Sequence, residues 1–193
     1  MTTLALIRHG HTPWNRAGRI QGRTDIDLDP DAITELKNYK LPSQWADADL
    51  ISSPLKRASQ TAEIIADRTP QHVDCLIEMN WGDWEGLRGI DLKADPSSGF
   101  RDIEHWGWHY RPPNGESPQD VCDRIKPWVM ALTTDTIAVC HIGIMRMILA
   151  TAHGWDFDGP APFRIKRNRL FLIEIDNGHL NIVNDEPIRL EKR

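Results

Sequence analysis

Residues 4–15 read LALIRHGHTPWN, an apolar run that stops abruptly at Arg8, His9, Gly10 and His11. Leu4 to Ile7 are strand formers with no helical period, which predicts a short buried strand. In open α/β sheets ligands bind beyond the carboxyl ends of the strands, so an Arg-His pair at this place is a candidate site. Alone, Arg-His-Gly is a weak signal that fits an ordinary solvated turn better than a site. The rest of the chain has to decide.

The 193 residues suit one domain, 1–193, with a lid-like insertion at about 87–116. Apolar residues are 40% and charged residues 26%, without a low-complexity tract or a solenoid period, as in a globular protein. No run approaches the roughly 20 apolar residues of a membrane span, and Arg8 interrupts the N-terminal run too early for a signal peptide. A cytoplasmic location is the expectation. Cys75, Cys122 and Cys140 are odd in number and form no Cys-x-x-Cys pair, which argues against a disulfide framework and a zinc knuckle. The formal charge of -5 disfavours a nucleic-acid partner. Any positive site must be local, and the oligomeric state is not legible.

The elements alternate. Asp29 and Pro30 open a helix running to about Lys40, and Asp49 to Ser52 form a second strand. Ser53 as cap and Pro54 as first helical residue then open a helix with Leu55, Ala58, Ala62 and Ile65 on one face. His72 to Ile77 is a third candidate strand, leading into the Trp-rich loop EMNWGDWEG. Residues 95–116 are least regular, with a short helix expected from Arg101 to Trp108. Ser117 and Pro118 start a helix that buries Val121, Ile125, Trp128 and Leu132 and kinks at Pro127. Thr136 to Cys140 is a fourth strand, followed by His141 and an almost wholly apolar helix closed by Gly154. Arg169 to Asp176, Asn177-Gly178 and His179 to Val183 read as a C-terminal β-hairpin. The fold class is α/β, a mostly parallel central sheet flanked by helices.

On this map Arg8 and His9 follow the first strand, Arg57 opens the helix after the second, Glu78 follows the third and His141 the fourth. All share one edge. Guanidinium groups and histidines crowded together repel unless an anion sits among them, and Arg forks match phosphate oxygens. The helices starting near Ser53 and Gly143 offer further N–H groups. No metal is needed for such a pocket, and the chain is expected to use no metal and no other cofactor.

The segments LIRHGHTPWN, SSPLKRASQTAEII, EMNWGDWEG, PPNGES and VCHIGIMR, taken in order, resemble the motifs of the histidine phosphatase superfamily. The resemblance is to the branch holding cofactor-dependent phosphoglycerate mutases and α-ribazole phosphatases, and it implies their fold. It also implies that His9 is phosphorylated during turnover, that Arg8, Arg57 and His141 hold the phosphoryl group, and that Glu78 exchanges the proton. Asn15 is implied in phosphate binding, with Thr12, Gln21 and Gly22 as weaker candidates. The chemistry agrees: an imidazole attacks only through an unprotonated nitrogen, and a desolvated carboxyl group can keep the proton a leaving alkoxide needs.

Asp83 and Glu85 are rival acids in the Glu78 loop. His105 and His109, four apart, could be metal ligands but lack companions. Arg146 reads as a structural ion-pair partner. Two positions depart from the family pattern: His11 stands where Glu or Gln is usual, and Ile142 where Gly is usual. The Ile142 N–H can still face phosphate, but its side chain narrows the pocket. The resemblance implies a phosphatase acting on a small phosphorylated substrate; Trp81, Trp84, Trp106, Trp108 and Tyr110 suggest one bearing a ring, such as α-ribazole phosphate. The alternatives are a phosphoglycerate mutase, for which the usual Lys and Arg-Asn positions hold other residues, and a non-catalytic phosphate-binding protein.

Overall fold

Residues 1–184 and 186–193 are described by the computed structural model. Leu4, Ala5, Leu6 and Ile7 are all buried, the mark of a strand covered on both faces. They lie in β1 (Thr2–Arg8), which pairs in parallel with β5 (Thr136–Cys140). Strand β3 (Asp49–Ser52) pairs in parallel with the other side of β5, and the two-residue β4 (Gln71–His72) with β3. Beyond β1 the sheet turns antiparallel through β6 (Arg169–Asp176), β7 (His179–Ile182) and the short β8 (Ile188–Arg189). Among the described residues the order is β4-β3-β5-β1-β6-β7, with β8 also on β6. A small separate pair joins β2 (Tyr39–Lys40) to β9 (Glu191–Lys192). This is the mixed α/β architecture with a mostly parallel centre that the sequence implies.

Alternate residues of β1 serve two cores. Leu4 and Leu6 point to the layer of α5 (Pro118–Met130) and α6 (Ile142–His153), where Val121, Ile125, Val129 and Ile148 pack. Ala5 and Ile7 point to α2 (Pro30–Leu36) and α3 (Lys56–Ala66), with Leu36, Ala58, Ala62 and Ile65. Two minor helices, α1 (Pro13–Arg16) and α4 (Gly89–Ala94), complete the set. Asn177 and Gly178 both have positive φ, as the tight hairpin between β6 and β7 requires.

Several boundaries differ from the sequence reading. Helix α2 ends at Leu36, because Tyr39 and Lys40 pair with the C-terminal strand instead. Helix α3 begins at Lys56 behind Leu55, so Ser53 is not its cap. The strand expected over His72 to Ile77 stops after His72 and coils into a 3₁₀ turn, Asp74–Leu76; Arg124 donates to the carbonyls of Cys75 and Ile77, which a neighbouring strand would otherwise satisfy. Arg101 to Trp108 forms turns rather than a helix, with Gly99 and Gly107 at positive φ, and the short helix of this segment is α4. Helix α5 runs on through Pro127, and its buried face is Val121, Ile125 and Val129, while Trp128 and Leu132 are only half-buried.

Candidate active site

The strand order β3-β5-β1 puts three carboxyl ends side by side. The chain leaving each is held to its neighbour: Ser53 N–H donates to Val139 O and His9 N–H to Cys140 O, both at 3.0 Å. His9 and His141 thereby face each other with ring centroids 5.2 Å apart. Gly10 follows at a place without room for a side chain, since a β-carbon would lie 2.9 Å from Leu36 Cδ1. His9 Nδ1 lies 2.7 Å from Gly10 O. A carbonyl only accepts, so Nδ1 carries the hydrogen and Nε2 keeps its lone pair. Burial, then the charges of Arg57, Arg167 and Arg8, hold the His9 pKa well below the ordinary histidine value. The ring is neutral near pH 7.

Arg57 is 1% exposed and clamped by the loop before α2: it donates to Gly22 O at 2.6 Å and Thr24 O at 3.0 Å. Thr12 caps α1 in a capping box with Asn15 and donates to Gln21 Oε1 at 2.8 Å, so Thr12, Asn15, Gln21 and Gly22 form one connected wall. His141 Nε2 meets Ser53 Oγ at 2.7 Å, leaving Nδ1 without a partner. Burial first, then Arg57 and His9, push the His141 pKa well down. Arg8 is lowered to about 10, chiefly by burial.

Glu78 is 2% exposed at the head of α6. Its Oε1 accepts from Met79 N–H at 2.7 Å and Oε2 from Gly143 N–H at 3.1 Å. A β-carbon on residue 143 would collide with Oε1, so the carboxyl group needs that glycine. Burial raises its pKa above the ordinary value, partly offset by those two hydrogen bonds and by Arg57 and Arg146. The rivals are engaged elsewhere: Glu85 accepts from Thr24 N–H, and Asp83 is exposed and bonded to Asn114.

Six buried side-chain polar atoms among the described residues have no partner, and five belong to this region: Arg8 Nε, His11 Nδ1, Gln21 Nε2, Arg57 Nε and His141 Nδ1. Arg8 Nε, Arg57 Nε and Gln21 Nε2 are donors, and an unpaired buried donor costs about 1–3 kcal/mol, so the cluster suits a ligand with acceptor oxygens.

The remaining candidate groups are placed as follows. The helix N-termini are partly taken, since Gly143 N–H serves Glu78 and Lys56 N–H serves Asp25. The half-buried Ile142 sits at the first position of α6. Arg146 forms no ion pair among the described residues; it is half-buried, with Glu78 and Glu104 its favourable charges at longer range. His105 and His109 gather no metal-binding group among the described residues. The aromatic segment packs on itself: Trp106 contacts Trp81, Trp84 and Tyr110, and Trp108 contacts Phe157. Those rings fill the segment's own core, which removes most of the stacking surface expected of them.

Arg167 was not foreseen. It donates through Nε to His9 O and through Nη2 to Asn15 Oδ1, both at 3.0 Å. It reaches the site because β6 runs antiparallel to β1, pairing Leu170 with Ile7 and so bringing the start of β6 to the end where His9 lies.

The model of the histidine phosphatase superfamily (branch 1) matches residues 4–185. The chain belongs to that superfamily. It is 26% identical to an adenosylcobalamin/alpha-ribazole phosphatase of Escherichia coli over 97% of this chain and 98% of that one. It is 32% identical to a glucosyl-3-phosphoglycerate phosphatase of Mycolicibacterium vanbaalenii over 78% of this chain and 68% of that one. Among solved structures, a phosphoglycerate mutase from Thermus thermophilus superposes with a TM-score of 0.74 at 28% identity, over 100% of both chains. The chain is thus a histidine phosphatase-type enzyme with phosphatases and mutases among its relatives, and phosphorylated small molecules are the substrates the family implies. No helix among the described residues is long and apolar enough to cross a membrane.

Proposed function

We propose that this enzyme hydrolyses a small phosphomonoester through a phosphohistidine at His9, without a metal, in the cytoplasm. The observation that carries this is the buried His9 imidazole with Nδ1 committed to Gly10 O, in a cluster with the partnerless Nε–H groups of Arg8 and Arg57, the unpaired His141 Nδ1, and Glu78, whose pKa burial raises. His9 Nε2 attacks phosphorus and the ester P–O bond breaks. Glu78 gives its proton to the departing oxygen. Water then attacks the phosphohistidine, Glu78 takes up a proton, and inorganic phosphate leaves with His9 restored. Arg8, Arg57, His141 and Asn15 stabilise the charge on the transferring oxygens, each such donor contributing about 3–4 kcal/mol to lowering the barrier. Thr12, Gln21, Gly22 and Ile142 shape the wall, and residues 87–116 form the lid.

Hydrolysis is favoured over mutase action because Gly89 lies near, and Gly107, Trp108 and His109 around, the places where the family resemblance implies a mutase's Lys and Arg-Asn pair, with Arg88 and Arg111 nearby but out of place. α-Ribazole phosphate is the first substrate to test, since a relative matched over nearly its whole length is an adenosylcobalamin/alpha-ribazole phosphatase. The deciding assay compares kcat/KM for α-ribazole phosphate, glucosyl-3-phosphoglycerate, nucleoside monophosphates and 3-phosphoglycerate, with EDTA present and with bisphosphoglycerate as primer. Phosphate release should exceed interconversion for every compound. Faster interconversion of phosphoglycerates overturns the hydrolase reading.

A further inference from the structure

We propose that Arg167 is a positioning residue: its guanidinium fork fixes the Asn15 side chain with the amide NH₂ free for the phosphoryl group, and braces the backbone of His9 from the same point. Asn15 Oδ1 accepts from two donors, Arg167 Nη2 at 3.0 Å and Thr12 N–H at 3.2 Å. With the amide turned the other way, its NH₂ would face a guanidinium and a backbone N–H, which neither can accept. The orientation is therefore set, and both Nδ2 hydrogens remain for acceptor oxygens. The fork's other arm, Nε to His9 O at 3.0 Å, spans the nucleophile and the phosphate-binding amide with one rigid group.

Arg167 also adds a charge beside His9, which faces Arg8 from β1, Arg57 from α3, His141 ahead of α6 and Arg167 ahead of β6, with Glu78 the carboxyl group of the cluster. Phosphoryl transfer through His9 rests on the functional reading above. The hydrogen-bond geometry does not.

The test uses the full chain with Arg167→Gln, Arg167→Lys and Asn15→Ala, singly and combined. It reads inorganic phosphate affinity by calorimetry, the His9 titration by NMR, and kcat and KM. Arg167→Gln should weaken phosphate binding roughly tenfold or more, as loss of a hydrogen bond to a charged group does, and move the His9 titration upward. Arg167→Lys keeps the charge and leaves the His9 titration near wild type, yet still weakens phosphate binding, because an ammonium cannot span both acceptors. Asn15→Ala should cost far less once Arg167 is Gln.

A folded Arg167→Gln protein with wild-type phosphate affinity and His9 titration overturns the proposal, as does an Asn15→Ala loss equal in both backgrounds. If Arg167→Gln does not fold, wild-type phosphate affinity in Arg167→Lys overturns it. Absence of phosphohistidine in the wild type sinks the functional reading, while the binding and titration results still decide Arg167.

Discussion

Glu78 can act as an acid only while it holds a proton, and His9 as a nucleophile only while it holds none. Burial serves both, raising the carboxyl pKa and lowering the imidazole pKa, so one desolvated cluster widens the pH range in which both forms coexist. Glu78→Gln is expected to lower turnover by roughly 10²- to 10⁴-fold for alkyl phosphates and less for aryl phosphates, whose leaving groups need less protonation. Equal losses would move the acid role to Asp83 or Glu85. The pH profile has a defined form: activity falls on the alkaline side as Glu78 loses its proton, and on the acid side, below the ordinary histidine range, as His9 gains one. Rates with an aryl phosphate should lose the alkaline limb in Glu78→Gln and keep the acid one. An unchanged alkaline limb would show that another group sets it. Arg8, His9, Arg57 and His141 were legible from sequence because each closes or follows an element whose pattern is local, whereas Glu78 was legible only through the motif EMNWGDWEG, since the strand expected ahead of it stops at His72. Arg167 was not, since its place depends on the antiparallel return of β6 against β1, a long-range pairing that Arg-Asn-Arg before a hairpin does not announce.

The head of α6 is the element on which the site depends most, and it is occupied from within. Gly143 N–H is committed to Glu78 Oε2, and the helix dipole favours the ionised carboxylate that burial disfavours. Gly143→Ala should therefore behave as a displacement of Glu78 rather than as a helix defect, since Ala is the better helix former by about 1 kcal/mol. The expected result is at least a tenfold loss of kcat with little loss of thermal stability, and no further loss when combined with Glu78→Gln, as measured by steady-state kinetics on the four proteins of the cycle. Additive losses would mean that the new methyl group acts elsewhere. The same kind of long-range control explains which elements were misread. Helix α6 and strand β5 carry their own limits in Gly154 and an apolar run. Strand β4 ends early because Arg124, on a helix some 50 residues away, takes the carbonyls of Cys75 and Ile77. The aromatic segment looked like a stacking surface because composition cannot say whether Trp106 faces a ligand or Trp81, Trp84 and Tyr110.

Across the whole molecule the charge is -5, yet Arg8, Arg57, Arg146 and Arg167 gather at one sheet edge with Glu78, whose pKa burial raises, as the carboxyl group among them. Burial lowers Arg167 to about 9 and Arg8 to about 10, so the folded state bears an electrostatic cost that a bound dianion relieves. The histidines set the acid side of stability. His9 and His141 stay neutral when folded, whereas in the unfolded chain they take up protons below about pH 6.5. The unfolded state therefore binds more protons there, and stability falls as pH drops through that window toward the folded pKa values. Glu78 acts oppositely, its raised pKa favouring the folded state below the ordinary carboxylate range and losing that contribution as pH rises through its folded pKa. Inorganic phosphate or vanadate, bound by the folded protein alone, adds about 2.7 kcal/mol at a hundredfold excess over Kd, or about 5–10 °C in Tm for a chain of this size. The shift should persist in Glu78→Gln and shrink sharply in Arg57→Ala. Thermal denaturation with and without phosphate at pH 7 measures it. A shift of equal size in Arg57→Ala would place the anion outside this pocket and separate the cationic edge from the chemistry assigned to it.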